Sequence, residues 1–184
     1  LRRTGIRLSV ISGEEEARLS LLGVLSVTGG AHAKSLVIDI GGGSTEYLAA
    51  DCDTLSGAWS MDMGVVLLTE RYLVSDPPEE AELNSMASDI NGTIASLKER
   101  MGADGIDPAG YCASAGAAMV GTAGTVTTLA ALDLGLEAYD ASKVNNYTLT
   151  RKRVGEIYAH LARLTLDERA GILSLEKGRE DLIM

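Results

Sequence analysis

Short apolar segments in the first third of the chain are typical of β-strands. Residues 6–10 alternate between apolar and polar side chains, which predicts a strand with one apolar face. Residues 36–40 form a continuous apolar, β-branched run, which indicates a buried strand. Residues 45–49 and 55–63 follow across short turns, so the three segments from 36 to 63 are predicted to form a meander.

Apolar side chains recur at helical spacing in most of the remaining chain. Ser12 and Glu15 form a capping-box pattern that predicts a helix running to about residue 22. Asp76 is predicted to cap another helix, with Pro77 in its first position and Glu79 completing a second box. Further helices are predicted over residues 65–73 and after Thr125, Thr150 and Thr165, a loop over 102–116, short strands over 118–120 and 147–149, and a last element from 178.

The composition narrows the class of protein. A chain of 184 residues with 46% hydrophobic side chains predicts one domain, and its core is aliphatic because aromatic residues make up only 4%. A net charge of −10 argues against a nucleic-acid partner, since a phosphate backbone attracts clustered Lys and Arg. We find neither a signal peptide nor an apolar run of transmembrane length, which predicts a cytoplasmic location and no membrane partner.

Cysteine and histidine do not suggest a metal site. Cys52 and Cys112 lie far apart in sequence and match no metal-binding spacing. His32 and His160 form no ligand pair either. We therefore predict structural or surface positions for all four residues.

The stretch over residues 36–46 carries the clearest chemical signal. Asp39 stands one residue before the end of a predicted buried strand, and three glycines follow that allow a tight turn and close approach to a ligand. Ser44 then supplies a hydroxyl and Glu46 a second carboxylate. Backbone N–H groups of such a turn suit phosphate oxygens, and carboxylates suit a metal ion. The alternative is a plain hairpin turn with solvated acids, but an acid carried by a buried strand favours a ligand site.

A second glycine-rich turn lies between residues 121 and 125. A short apolar strand runs into Gly-Thr-Ala-Gly-Thr and then into a predicted helix, an arrangement that offers free N–H groups to an anion. The alternative is a well-capped helix start with Thr125 as the cap. Two such turns in one small domain favour a shared phosphate site.

Three consecutive acids open the first predicted helix. Glu14, Glu15 and Glu16 lie in its first turn, where negative charge complements the helix dipole. One of them is free to face a cleft, and Glu16 is the best placed because it lies about 100° around the helix from Glu15.

Five segments, in order and spread over nearly the whole chain, resemble the exopolyphosphatase/guanosine pentaphosphate phosphohydrolase (Ppx/GppA) family. They are VISGEEEARL at residues 10–19, LVIDIGGGSTE at 36–46, MGVVLLTERY at 63–72, GTAGT at 121–125 and GREDLI at 178–183. Ala123 stands where that family often has Ser, which removes one hydroxyl from the second turn.

The resemblance implies an actin-like ATPase (ribonuclease H-like) α/β fold, with a mixed sheet flanked by helices. Residues 1–184 would form a single domain, the second lobe of a two-lobed catalytic module. Its partner would be the first actin-like lobe of the same protein, with a phosphate loop of its own. The chain starts at Leu1 without an initiator Met and reaches a strand pattern by residue 6, and it ends at Met184 inside a predicted element, so we expect a fragment of a longer protein.

The resemblance also implies roles for particular residues. Glu16 would be the catalytic carboxylate that positions or deprotonates the attacking water. Asp39 and Glu46 would hold Mg²⁺ or Mn²⁺. The phosphate-binding residues would be Gly41, Gly42, Gly43 and Ser44, with Gly121, Thr122, Gly124 and Thr125 as a second wall.

The function implied is hydrolysis of the terminal phosphate of polyphosphate or guanosine pentaphosphate. One alternative is an actin-like nucleotide-binding domain of a kinase or chaperone-type ATPase, which the segment over residues 10–19 argues against. Another is a non-catalytic phosphate-binding module, which nothing favours because all three acids are present. The sequence leaves open the choice of substrate and the oligomeric state, with a homodimer among the outcomes. We expect the isolated 184 residues to be nearly inactive, because half of the cleft would be missing.

Overall fold

A four-stranded sheet organises the computed structural model, which describes residues 9–30, 32–112, 115–175 and 178–181. The strands are β1 (Lys34–Ile40), β2 (Thr45–Asp51), β3 (Thr54–Met61) and β4 (Ala117–Thr122). The helices are α1 (Gly13–Thr28), α2 (Val65–Tyr72), α3 (Glu80–Ala103), α4 (Pro108–Cys112), α5 (Ala123–Leu134), α6 (Ala141–Val144), α7 (Arg151–Leu161) and α8 (Leu166–Ala170).

The sheet is mixed, with the strand order β3-β2-β1-β4. β1, β2 and β3 pair in antiparallel fashion and confirm the predicted meander. β4 returns parallel to β1 after the chain has crossed through α2, α3 and α4. Because β1 and β4 are parallel neighbours, their carboxyl ends meet at one edge of the sheet.

Two hydrophobic clusters cover the two faces of the sheet. On one face, Ala17 and Leu21 of α1 pack with Val37 of β1 and Leu48 of β2. On the other face, α3 packs against a cluster that includes the buried ring of Trp59. Val37 and Leu48 are almost fully buried, and each such side chain contributes about 1.5–3 kcal/mol. The cores therefore fix which face of each strand carries the polar residues at its end.

Helix α1 begins as predicted but is longer and lacks half of its capping box. The Ser12 hydroxyl accepts the Glu15 N–H at 3.2 Å. The Glu15 carboxylate does not return to the cap, because it pairs with the Arg18 guanidinium at 2.8 Å. The helix continues to Thr28 and ends at Gly29, whose φ of 66° lies in the left-handed region.

The predicted helix start at Asp76 is wrong. α3 begins at Glu80, with Glu79 as its cap and a capping box between Glu79 and Glu82. The reason lies in the Pro77–Pro78 pair, since a residue before proline avoids the α-helical region. Asp76 instead accepts the Leu166 N–H of α8 at 2.8 Å.

Other predicted boundaries differ locally. The segment predicted as a loop over 102–116 contains α4, the short helix α6 was not predicted, and residues 147–149 join no strand. The caps at Thr150 and Thr165 are confirmed, including the capping box with Glu168. Of the strand predicted over 6–10, Ser9 and Val10 lie in no strand and the rest is outside the described residues, as are residues 182–184 of the last predicted element.

Within the described part of the chain, no helix has both the length and the apolar character needed to cross a membrane.

Candidate active site

A row of four polar residues crosses the sheet where β1 and β4 end. Asp39 on β1 is the register partner of Glu46 on β2 and of Thr122 on β4, and Glu46 is the partner of Ser60 on β3. Register partners point to the same face of a sheet. Asp39 lies two residues after Val37, which packs against α1, so the row faces the α1 side.

Negative charge is concentrated at Asp39. The side chain is half-buried, and burial is the largest cause that raises the pKa of its carboxyl group. The charges of Glu46 and then Glu16 raise this pKa further. The three acids that the sequence singled out therefore interact electrostatically, and a cation bound at Asp39 would relieve part of this repulsion.

The three acids in the first turn of α1 have different surroundings. Glu15 is held by Arg18, and Glu14 is exposed. Glu16 is also exposed at the helix surface, but the next residue, Ala17, is buried against the sheet and holds this turn in place. Of these three acids, only Glu16 contributes to the raised pKa of Asp39.

Two hydroxyl groups hold one oxygen of Glu46. Its Oε1 atom accepts a hydrogen bond from Ser44 Oγ at 2.5 Å and another from Ser60 Oγ at 3.0 Å. Ser60 was not singled out by the sequence, because a lone serine in a strand carries no motif. Only the strand register reveals that it faces the carboxylate.

The first glycine-rich turn is closed by its own backbone and capped by α2. The Gly41 N–H donates to the Ser44 carbonyl at 3.0 Å. The carbonyls of Gly41 and Gly42 accept the N–H groups of Val65 and Val66 at 3.0 and 2.9 Å. The amino end of α2 is therefore satisfied by the turn and is not itself open to an anion.

Close packing beneath the turn requires glycine at residue 64. A Cβ atom there would stand 2.2 Å from the carbonyl oxygen of Gly42. With the carbonyls directed at α2, the N–H groups of Gly42, Gly43 and Ser44 find no hydrogen-bond acceptor among the described residues. Gly42 and Gly43 are exposed, so these N–H groups can serve an anion from solvent.

The second turn has a different geometry from the predicted one. α5 begins at Ala123 and its cap is Thr122, so the prediction of Thr125 as cap is wrong. Thr122 makes no side-chain capping bond, and Ala123 has a φ of 63°, an uncommon and strained value for a residue with a side chain. Gly124 and Thr125 consequently lie in the first turn of α5, whose N–H groups lack helical partners.

A guanidinium group lies over the second turn. A Cβ atom at Gly124 would stand 2.0 Å from Arg179 Nη2, so only glycine allows this approach. Beside it, the Thr69 hydroxyl of α2 donates to the Asp181 carbonyl at 3.3 Å. The sequence argument gave Arg179 no role, although it belongs to the segment over residues 178–183. Its position places a permanent positive charge at the amino end of α5.

The two turns leave adjacent strands at the same edge. Ile38 is the register partner of Gly121, and both chains turn within three residues of that pair. A cavity of about 870 Å³ adjoins this edge, lined in part by Asp39, Gly121 and Thr122. Glu16, Glu46 and Gly41 to Gly43 are not among its walls.

Three of the four cysteine and histidine residues, which were predicted to be structural or at the surface, have described side chains. Cys52 is exposed and unpaired, His160 is exposed near the end of α7, and His32 is half-buried. The side chain of Cys112 lies outside the described part of the structure. Among the described residues, no three His, Cys, Asp or Glu side chains are grouped closely enough to hold a metal ion together.

The sheet order, the helices on both faces and the relatives described next define the class of fold as an actin-like α/β domain. The model of the Ppx/GppA phosphatase family matches residues 1–184. The chain belongs to that family.

Relatives agree with this assignment. The chain is 35% identical over 181 residues to exopolyphosphatase 2 of Mycobacterium tuberculosis, which covers 97% of this chain and 53% of the relative. It resembles the crystal structure of the Aquifex aeolicus Ppx/GppA family member with a TM-score of 0.83 and 28% identity, over 99% of this chain and 55% of that one. The chain also resembles the crystal structure of an exopolyphosphatase-like protein, with a TM-score of 0.84 and 33% identity, over 99% of this chain and 56% of that one. The chain spans about half the length of the curated relatives it matches.

Proposed function

We propose that the full-length protein containing this chain is a phosphoanhydride hydrolase that releases the terminal phosphate of polyphosphate or guanosine pentaphosphate. The main support is the meeting of carboxylates and unpartnered N–H groups at one sheet edge. Asp39 and Glu46 stand in register there, and the exposed turn of Gly42 and Gly43 follows directly. Because the curated relatives are named exopolyphosphatase, polyphosphate is the first substrate to test.

Mg²⁺, or Mn²⁺ in its place, is the cofactor that these residues fit. Asp39 and Glu46 would supply two hard oxygen ligands from adjacent strands, and burial together with the charges of Glu46 and Glu16 raises the pKa of Asp39. Two carboxylates leave the other positions to water and phosphate oxygens, which is how Mg²⁺ is usually held. When bound, the cation would stabilise charge on the phosphate oxygens by several kcal/mol.

Glu16 would orient the attacking water. The water oxygen forms a bond to the terminal phosphorus while the bond from phosphorus to the bridging oxygen breaks. One water proton passes to Glu16 or to solvent, and the bridging oxygen remains on the shortened chain. Positioning and charge stabilisation account for most of such a rate, and a placed base adds roughly 10²–10⁴-fold.

The two turns would grip the phosphates from two sides. The N–H groups of Gly42, Gly43 and Ser44 would form one wall, while Gly41 serves the turn itself because its N–H is already bound. The amino end of α5, with Gly124 and Thr125, would form the second wall. The guanidinium of Arg179 would add charge there.

A first lobe would close the cleft from the opposite side. We propose that the isolated 184 residues are nearly inactive, since the far phosphate contacts would be missing and water would not be excluded.

The test is phosphate release by the full-length protein from long-chain polyphosphate, guanosine pentaphosphate and ATP, each with Mg²⁺ or with a chelator. We expect Mg²⁺-dependent release from at least one of the first two substrates. Turnover of ATP alone would favour the kinase or chaperone-type ATPase. Binding of inorganic phosphate without hydrolysis of any substrate would favour a non-catalytic module.

A further inference from the structure

We propose that Ser60 is a positioning residue that keeps the Glu46 carboxylate in place while Ser44 turns its hydroxyl to the substrate. The inference rests on the proposed function for its catalytic consequence, but its structural part can be tested without any activity. It begins from the two hydrogen bonds on Glu46 Oε1, from Ser44 at 2.5 Å and from Ser60 at 3.0 Å.

The two serines reach the carboxylate from different elements. Ser44 belongs to the glycine-rich turn, and its carbonyl closes that turn by accepting the Gly41 N–H. Ser60 belongs to β3, where it is the register partner of Glu46 and is held by the strand ladder. The position of Ser60 therefore does not depend on the turn.

The number of hydroxyl hydrogens that can be donated explains why a second serine is needed beside Glu46. A serine hydroxyl has one hydrogen to donate, and both a carboxylate and a phosphate oxygen are acceptors. Ser44 can thus donate to Glu46 or to a phosphate, but not to both. When phosphate enters the turn and accepts the hydrogen bond of the Ser44 hydroxyl, Ser60 remains as the donor that holds Glu46 Oε1.

The chain contains a matched control for Ser60. Ser56 lies four residues earlier on the same strand, is likewise exposed, and donates through its hydroxyl to Asp51 Oδ2 at 2.6 Å. It makes the same kind of bond to a carboxylate, but away from the candidate active site. Ser56 falls at the β-bulge opposite Ala49 and Ala50, whereas Ser60 lies in the regular ladder. Ser56→Ala therefore controls for the loss of a serine–carboxylate bond on β3 outside the candidate active site.

The kinetic test compares Ser60→Ala, Ser60→Thr and Ser56→Ala in the full-length protein with Mg²⁺ and polyphosphate or guanosine pentaphosphate. We expect Ser60→Ala to lower kcat roughly tenfold with KM changed less than about twofold, because the carboxylate is misplaced only once substrate is bound. Ser60→Thr keeps the hydroxyl and should recover most of the rate. Ser56→Ala should keep the wild-type kcat. Equal kcat values for Ser60→Ala and Ser56→Ala would overturn the inference.

Ligand-free crystal structures test the same inference apart from activity. In Ser44→Ala, Ser60 alone should hold the Glu46 carboxylate within about 0.5 Å of its wild-type position, the tolerance expected of a functional site. In Ser44→Ala/Ser60→Ala, the carboxylate should leave that position. A carboxylate that stays in place in the double variant, or that leaves in Ser44→Ala alone, would contradict the role of Ser60. If the wild-type protein hydrolyses neither substrate, the proposed function fails, and these structures still decide on Ser60.

Discussion

The two ends of the central sheet carry acidic residues in opposite electrostatic situations. At the carboxyl end of β1, Asp39 is half-buried beside Glu46 and Glu16, and burial followed by these charges raises the pKa of its carboxyl group. At the amino end, Asp51 pairs with Lys34 at 3.1 Å. Its carboxylate also accepts the hydroxyls of Ser56 and Tyr111, and its pKa falls to about 2.

The contrast between Asp51 and Asp39 distinguishes a carboxylate that stabilises the fold from one available to a ligand. Asp51 is satisfied within the fold, so its charge favours the folded state. Asp39 has no such cationic or hydroxyl partner among the described residues, and burial and its acidic neighbours disfavour its charge. Both ends belong to the same strands, so changes at matched positions can break or sharpen this contrast.

The largest effect is expected from Glu16→Gln in the full-length protein. The change keeps the size of the side chain but removes the carboxylate that would orient water, so turnover should fall at least about a hundredfold with KM little changed. The measurement is steady-state phosphate release. Glu14→Gln, two residues earlier on the same helix and also exposed, is the control and should keep wild-type turnover. Near-normal turnover of Glu16→Gln would remove Glu16 from catalysis.

A smaller effect is expected from Gly124→Ala. The added Cβ would stand 2.0 Å from Arg179 Nη2, so the guanidinium must move away from the amino end of α5. We expect KM to rise roughly tenfold with a smaller change in kcat, since a substrate contact is lost in both ground and transition states. The control is Gly155→Ala, where a Cβ would meet nothing within 4 Å. It should leave KM unchanged and stabilise α7 by about 0.5–1 kcal/mol.

Asp39→Asn and Asp51→Asn should shift the melting temperature in opposite directions. At pH 7 with a chelator present, Asp39→Asn removes a charge that burial and two neighbouring acids disfavour, so Tm should rise by roughly 1–3 °C. Asp51→Asn removes the partner of Lys34, so Tm should fall. Differential scanning calorimetry decides the signs. A fall in Tm for Asp39→Asn would mean that its charge is already compensated in the protein.

The smallest effect is the dependence of stability on acid pH. The folded-state pKa of Asp51 lies at about 2, below its ordinary value of 3.8, so its contribution is present above 3.8 and is lost as pH falls towards 2. The contribution of Asp39 to stability depends on pH in the opposite direction. Because its folded-state pKa is raised, this contribution decreases as pH increases above 3.8. Unfolding in urea across this range should show a shallower acid loss for Asp51→Asn than for the wild type. Identical slopes would contradict the pairing at Asp51.

The sequence predicted the parts that depend on local pattern. The apolar run over residues 36–40 and the segments after it were sufficient for the meander, and the acid before the glycines marked the edge where the candidate site lies. The Thr165 box was also predictable, since both partners lie within one helical turn.

What the sequence could not predict depends on contacts distant along the chain. The start of α3 was misplaced because Pro77 disfavours the helical conformation of Asp76 and Pro78 disfavours that of Pro77, an effect that outweighs a good capping pattern. Arg179 over Gly124 and Ser60 beside Glu46 arise from tertiary packing and strand register. The direction of the carbonyls of Gly41 and Gly42, which leaves the neighbouring N–H groups exposed, required α2 to be in place.

The most direct test is a crystal structure of the full-length protein soaked with Mn²⁺ and inorganic phosphate. The anomalous signal of manganese should lie within about 2.0–2.6 Å of carboxylate oxygens of both Asp39 and Glu46, as is usual for hard cations. The phosphate should accept hydrogen bonds from the N–H groups of Gly42, Gly43 or Ser44 and face the amino end of α5. Manganese bound away from Asp39, or phosphate bound away from both turns, would contradict the account.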